Sequence, residues 1–311
     1  MNDIIKLSPV HKDYIWGGEK LKKIYDNCRD MNIVAESWIL SAHKDGQSKV
    51  VGGEFDGLGF SEYLDRVGTL AVGNNAEADK EFPVLIKFID AKNDLSIQVH
   101  PDDEYALLNE GQNGKTEMWY IMDCDEGATI YYGFNRDISK DEAKEALENG
   151  TFTDLLNAVP VKKGDAFFIP AGTVHAIRKG TLICEIQQNS NVTYRVFDYN
   201  RTDKDGNKRE LHVDKALATM NLSKTDYESK SSGNVLAECK YFKVVREMIA
   251  GRKEFDLTPE SFLSVIVTDG AGTIEHNGQK HEFKLGDSFF LPAQNGKVKF
   301  EGDGELILTT V

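Results

Sequence analysis

The sequence predicts a mainly β protein: two copies of a sandwich- or barrel-like domain in tandem, with a small helical insertion. Three observations carry this. Short runs rich in β-branched and aromatic residues recur between Gly, Pro, Asn and Asp along most of the chain. One segment breaks that pattern with helical spacing. The stretch GDAFFIPAGTVHA (164–176) also returns as GDSFFLPAQNGKV (286–298), a period of 122 residues from Gly164 to Gly286 that marks an internal repeat.

The strand candidates, in order, are FPVLIKFID (82–90), LSIQVH (95–100), MWYIMD (118–123), TIYYGF (129–134), AFFIPA (166–171) and LICEIQ (182–187). Between the fourth and fifth, ISKDEAKEALENGTFTDLLNAVP places Ser139 as a helix N-cap with Glu142 three residues on, which predicts a helical insertion over about 139–158. A second helical patch, VDKALATMNL (213–222), leads into TDYESKSSGNV (225–235), whose Ser, Gly and charge content reads as a linker. Strand signals resume in KYFKVVREMI, SFLSVIVTDG and LILTTV. The expected division is therefore a first domain over 1–225 and a second over 236–311.

The 311 residues include 37 basic and 51 acidic side chains, a formal charge of -14. That balance argues against nucleic acid or an anionic membrane as a partner, so an anionic substrate would need a local basic pocket. No apolar run approaches the roughly 20 residues that span a bilayer. The opening MNDIIKLSPVHKDYIWGG lacks a signal-peptide pattern, so a soluble cytoplasmic protein is expected. Cys28, Cys124, Cys184 and Cys239 are scattered and form no paired motif.

Metal chemistry distinguishes the two copies of the repeat. Gln98 and His100 are two apart on an expected strand and so share a face. Glu117 opens the next strong strand, and His175 follows a Pro-Ala-Gly turn in the first copy alone. Two neutral imidazoles and a carboxylate make an open zinc site with room for substrate. A histidine in isolation reads as structural or surface, and His11, His43, His212, His276 and His281 have no such company. In the second copy Lys297 stands opposite His175, and Gln294, Asn295 and Gly296 offer no good ligand, so one metal per chain is expected, with the second copy kept as a frame.

Four ordered motifs, IQVHPDD, KTEMWY, PAGTVHA and NVTYRVFDYNR, together with YIWGG and AESW, resemble the type I mannose-6-phosphate isomerases in their short bacterial form. The resemblance runs over nearly the whole chain. It implies two tandem jelly-roll (cupin) domains and zinc held by His100, Glu117 and His175, with Gln98 as the fourth protein ligand. It also implies an aldose-ketose isomerase that interconverts mannose 6-phosphate and fructose 6-phosphate through an enediol or enediolate. Arg195 matches the family's active-site arginine. Glu185 and Lys87 match pocket positions, and either could move the proton if its surroundings tuned its pKa. Ser96 and Lys115 match residues on the phosphate side, while Trp16 and Glu36 match residues near the sugar. Arg195 could clamp phosphate or stabilise the enediolate. Two other classes of function fit the same ligand set: a non-catalytic carbohydrate-binding or sensing cupin, and an Fe(II) cupin oxygenase. The long enzymes of the family carry a large helical domain where this chain has only its short insertion.

Overall fold

The computed structural model describes residues 4–76, 81–202, 206–227 and 233–311, so much of the expected linker, 228–232, lies outside the described residues. The strands gather into three antiparallel sheets. One has six strands in the order Ala166–Ile169, Glu117–Cys124, Thr181–Gln188, Val84–Ala91, Glu36–Leu40 and Val10–Lys12. A five-stranded sheet runs Tyr194–Phe197, Ile97–Val99, His175–Ile177, Thr129–Phe134 and Leu156–Pro160. These two pack face to face and close the first jelly roll around Trp16, Trp119, Ile121, Ile130, Phe167 and Ile177.

The third sheet is built on Lys243–Leu257, Leu263–His276 and Gly296–Thr310, strands of 15, 14 and 15 residues long enough to bend around the second jelly roll. Its Ser288–Leu291 strand also pairs with Ile5–Ser8, which in turn pairs with Lys49–Val51. Two early segments of the chain thus complete the sheet of its last third. That long-range pairing has no local sequence signal.

The six-stranded sheet is covered on both faces. Met118, Tyr120, Cys184, Ile186, Ile86 and Phe88 pack toward the second jelly roll with Phe290, Ile266 and Ile307. Trp119, Ile121, Ile183 and Ile89 alternate with them and face the first barrel's interior. Every residue of Val84–Ala91 and Thr181–Gln188 is accordingly buried, as expected for strands without a solvated face. Lys87 and Glu185 are charged residues inside these runs. Their position in the alternation sends both into the first barrel, where burial without partners would be costly.

The helical insertion is realised as Lys140–Asn149, with Ser139 and Glu142 forming a reciprocal capping box. Val213–Thr219 is the second expected helix. Phe60–Val67 and Asp103–Glu110 are helices the sequence reading did not anticipate. In the latter, Asp102 accepts from the Tyr105 N–H at 2.9 Å, and Gly111 ends the helix at φ 63°. No helix among the described residues is long and apolar enough to cross a membrane.

Candidate active site and metal centre

Two rows of side chains face each other across the first barrel. In the five-stranded sheet, strand register aligns Arg195, Gln98 and His175 on adjacent strands. In the six-stranded sheet it aligns Trp119, Glu185, Lys87 and Trp38. Directly opposed residues of antiparallel strands share a face, so each row projects inward together. Glu117 lies two residues before Trp119 and His100 two after Gln98, which adds them to the same faces.

The rows meet at His100, Glu117 and His175, whose ligand atoms lie within 4.8 Å of one another. His175 Nε2 is 3.3 Å from Glu117 Oε1, and His100 Nε2 is 3.5 Å from Glu117 Oε2. Each imidazole is anchored through its other nitrogen, His100 Nδ1 to the Val192 carbonyl and His175 Nδ1 to the Thr173 carbonyl, both at 2.9 Å. Such anchoring fixes the tautomer that leaves Nε2 a bare lone pair toward the centre. The Gln98 amide nitrogen is 3.4 Å from His175 Nε2, and a half-turn of the amide presents its oxygen to the same centre.

Burial holds the His175 pKa down at about 4, and burial, with help from the Lys115 and His175 charges, holds that of His100 well below the ordinary imidazole value. Both rings are therefore neutral near pH 7, the form that ligates metal. Burial, then the charge of Glu185, raises the Glu117 carboxyl. His100 Nε2 and Glu117 Oε1 are fully buried without a hydrogen bond. Orphaned atoms of this kind carry a desolvation cost that a cation at the centre would relieve, so the donor set fits a divalent ion of the zinc type.

From this centre a chain of alternating charges runs along the six-stranded sheet. Lys115 Nζ is 2.9 Å from Glu117 Oε2 and 3.7 Å from Glu185 Oε1. Lys87 Nζ is 3.3 Å from Glu185 Oε1 and 3.8 Å from Glu36 Oε2. Trp119 Nε1 donates to Glu185 Oε2 at 3.0 Å, and Trp38 Nε1 donates to Glu36 Oε2 at 2.6 Å. Burial pushes Glu185 up, but Lys115, Lys87 and the Trp119 hydrogen bond prevail and hold it well below the usual carboxylate range. Burial likewise pushes Lys87 down, and Glu36, Glu185 and Glu117 together outweigh it, so its ammonium is retained.

A cleft of about 280 Å³ opens over this chain, lined by Trp16, Glu36, Lys87, Ser96, Gln98, Lys115, Glu185 and Arg195. The remaining sequence candidates, His100, Glu117 and His175, form the cluster into which Gln98 reaches. Every candidate thus falls in one place. Tyr14, Asn191, Thr193 and Arg209 line the cleft too and were not singled out from sequence. Tyr14, Asn191 and Thr193 sit inside the YIWGG and NVTYRVF motifs, and that membership was their only signal. Arg209 lies in the charged run NKRELHV, which reads as solvated surface.

Fold and site together define a tandem jelly-roll protein of the cupin class, with a buried two-histidine, one-carboxylate centre in its first barrel. Residues 4–142 match the phosphomannose isomerase type I catalytic domain, and residues 233–311 match the mannose-6-phosphate isomerase cupin domain. The chain is 39% identical over 310 residues to the mannose-6-phosphate isomerase ManA of Bacillus subtilis, covering 97% of this chain and 96% of that one. It is 37% identical over 307 residues to a mannose-6-phosphate isomerase of Streptococcus mutans, covering 96% and 95%. A crystal structure of mannose 6-phosphate isomerase from Bacillus subtilis superposes with a TM-score of 0.88 at 37% identity over all of both chains. The chain belongs to the type I phosphomannose isomerase family.

Proposed function

We propose that the chain interconverts mannose 6-phosphate and fructose 6-phosphate by moving a proton between C1 and C2 of the sugar. The observation that carries this reading is the meeting, in one cleft, of the His100, Glu117 and His175 cluster with the buried carboxylate and lysine chain. The alternatives fit less well. A binding or sensing cupin has no use for a lysine and carboxylate pair buried at such cost, and an Fe(II) oxygenase has no use for Lys115 and Arg195 beside its ligands.

His100, Glu117 and His175, with Gln98 as fourth, would hold one Zn²⁺ per chain. A bound divalent cation supplies Lewis-acid stabilisation of charge developing on O1 and O2. Glu185 lines the cleft and its Oε1 is buried without a hydrogen bond, so it is our choice to accept the proton. The Lys87 ammonium, 3.3 Å away, holds that carboxylate in position and supports its charge. Arg195 joins Gln98 on one face and offers a planar fork to the oxygens of the reacting end. Trp16 would give an apolar face to the sugar and Glu36 a hydroxyl acceptor, with Ser96 and Lys115 beside the substrate. Residues 1–225 would carry the chemistry, and 236–311 would buttress the six-stranded sheet from behind.

The test is conversion of mannose 6-phosphate by the purified protein, followed as fructose 6-phosphate and repeated with chelator and with added Zn²⁺. Conversion lost to chelator and restored by metal is expected. Binding without turnover would favour the sensing cupin. Metal-dependent oxygen uptake would favour the oxygenase.

A further inference from the structure

Arg209 lines the cleft together with Arg195, and its guanidinium is already fixed. Nε donates to Asp198 Oδ2 at 2.7 Å and Nη2 to Asp198 Oδ1 at 2.5 Å, a bidentate pair. The same carboxylate, itself 4% exposed, accepts from Arg201 Nη2, and Arg201 Nη1 donates to the Asp94 carbonyl. Asp198 directly follows the Tyr194–Phe197 strand. Tyr199 and Asn200 then take φ of 55° and 53°, a left-handed conformation uncommon outside glycine. The chain thereby reverses at once: Thr202 bridges Lys208, and the His212 N–H reaches the Arg195 carbonyl at 2.8 Å. That reversal brings Arg209 back to the wall that carries Arg195.

Charge is divided unevenly along the cleft. At the metal end, Lys87 and Lys115 are committed to Glu36, Glu117 and Glu185. Beyond Arg195 on the same wall, Arg201 and Arg209 share one buried carboxylate, Asp198, while the Glu210 side chain is 83% exposed and points to solvent. Among the described residues Arg209 Nη1 has no hydrogen-bond partner, and the buried Arg195 Nε has none either. Burial and the nearby Arg209 charge lower the Arg195 pKa, in line with a local surplus of cations. A phosphate dianion finds unspent guanidinium donors and positive charge there.

We propose that Arg209, splinted by Asp198, binds the phosphate of the substrate, and that this pair selects for a phosphomonoester over a neutral sugar. The proposal rests on the phosphosugar reading above. Arg209 is a substrate-binding residue and Asp198 a positioning residue. Lys115 then remains with the carboxylates beside the metal cluster rather than with the phosphate.

The test has two arms on the full chain as purified. Calorimetric titration with fructose 6-phosphate, and with inorganic phosphate as a minimal probe, should show Arg209→Gln weakening both about tenfold to a hundredfold, the range for a lost charge-assisted contact. In the kinetic arm KM for mannose 6-phosphate should rise by a similar factor with kcat changed about twofold at most, the pattern of lost uniform binding. Arg209→Lys, which keeps the charge and loses the fork, should fall between wild type and Arg209→Gln, and Asp198→Asn should shift KM the same way by less. Unchanged thermal melts would show that the variants fold. Phosphosugar affinity within about twofold of wild type in a folded Arg209→Gln, or a fall in kcat at constant KM, would overturn the proposal. A wild type that binds phosphosugar without turning it over would sink the isomerase reading while the titration still decides the role of Arg209.

Discussion

The two jelly rolls repeat one turn almost atom for atom and then part. Gly164 and Gly286 both sit at φ 92°. Asp165 caps the Lys162 N–H at 3.0 Å, and Asp287 caps the Lys284 N–H at 3.0 Å. Gly164 and Gly286 each donate, at 2.9 Å, to a neighbouring strand, to the Ile121 and Val267 carbonyls. The strands that follow, Ala166–Ile169 and Ser288–Leu291, begin and end at the same offset. Beyond the proline the copies diverge. The first turns at Gly172 and delivers His175 to the ligand cluster, whereas the second presents Lys297, largely exposed and paired with Asp256 at 3.3 Å. The comparison teaches that the frame is stabilised by backbone hydrogen bonds and core packing, which do not depend on the ligand positions.

Breaking the difference between the copies should give the largest effect. His175→Ala should remove the bound metal, seen by elemental analysis, and cut mannose 6-phosphate turnover at least a hundredfold, since even indirect support of a ligand is worth about tenfold to a hundredfold. Lys297→Ala at the matching position should leave metal content and turnover as they are. Bound metal retained without His175 would reassign the ligand.

The next test reverses the ranking. Phe290 is fully buried among Phe60, Phe82 and Phe262, with ring centroids 5.1, 6.0 and 5.3 Å away. Its counterpart Phe168 is only partly buried, against Phe242 at 6.5 Å. Phe290→Ala should cost about 3–5 kcal/mol in denaturant unfolding and Phe168→Ala clearly less, with metal retained in both. Equal costs would mean that the second jelly roll does not anchor the shared core.

Within the common turn the copies should behave alike. Asp165→Ala and Asp287→Ala each lose one cap and should each cost about 1 kcal/mol. Asp287 should cost slightly more because it also pairs with Lys6 at 2.8 Å. A clear loss of metal from Asp165→Ala alone would show that the first turn helps place the site.

The smallest expected effect is a pH dependence confined to the first jelly roll. Burial pushes Asp198 up, but its bonds from Arg209 and Arg201 prevail and hold its pKa below the ordinary 3.8. The unfolded state therefore binds this proton first as pH falls. The stabilisation is fully present above about pH 4 and is lost as pH drops through the folded value. Asp198→Asn should flatten that part of the acid limb in a plot of unfolding midpoint against pH. A limb as steep as wild type would assign it to other carboxylates.

Much of this was legible in the chain. FPVLIKFID and LICEIQ read as strands because branched and aromatic residues suit a pleated, buried surface. Ser139 with Glu142 marked a helix start that formed as read. The Asp103–Glu110 helix had an N-cap at Asp102 and a stop at Gly111, but weak apolar periodicity hid it. Arg209 was missed because its role depends on a reversal at Tyr199 and Asn200, and neither residue type announces a left-handed backbone as glycine would.

By itself the sequence determined the strand-rich architecture, the repeat, the candidate ligands and the charged residues placed inside apolar strands. These follow from side-chain alternation and turn chemistry, which act over a few residues. Tertiary structure decided that Ile5–Ser8 completes the second sheet and that the six-stranded sheet is covered on both faces. It also brought Arg195, Gln98 and His175 into one row opposite Glu185 and Lys87. Those outcomes depend on strand register and on closing long loops, and the pattern along one strand does not name its partner.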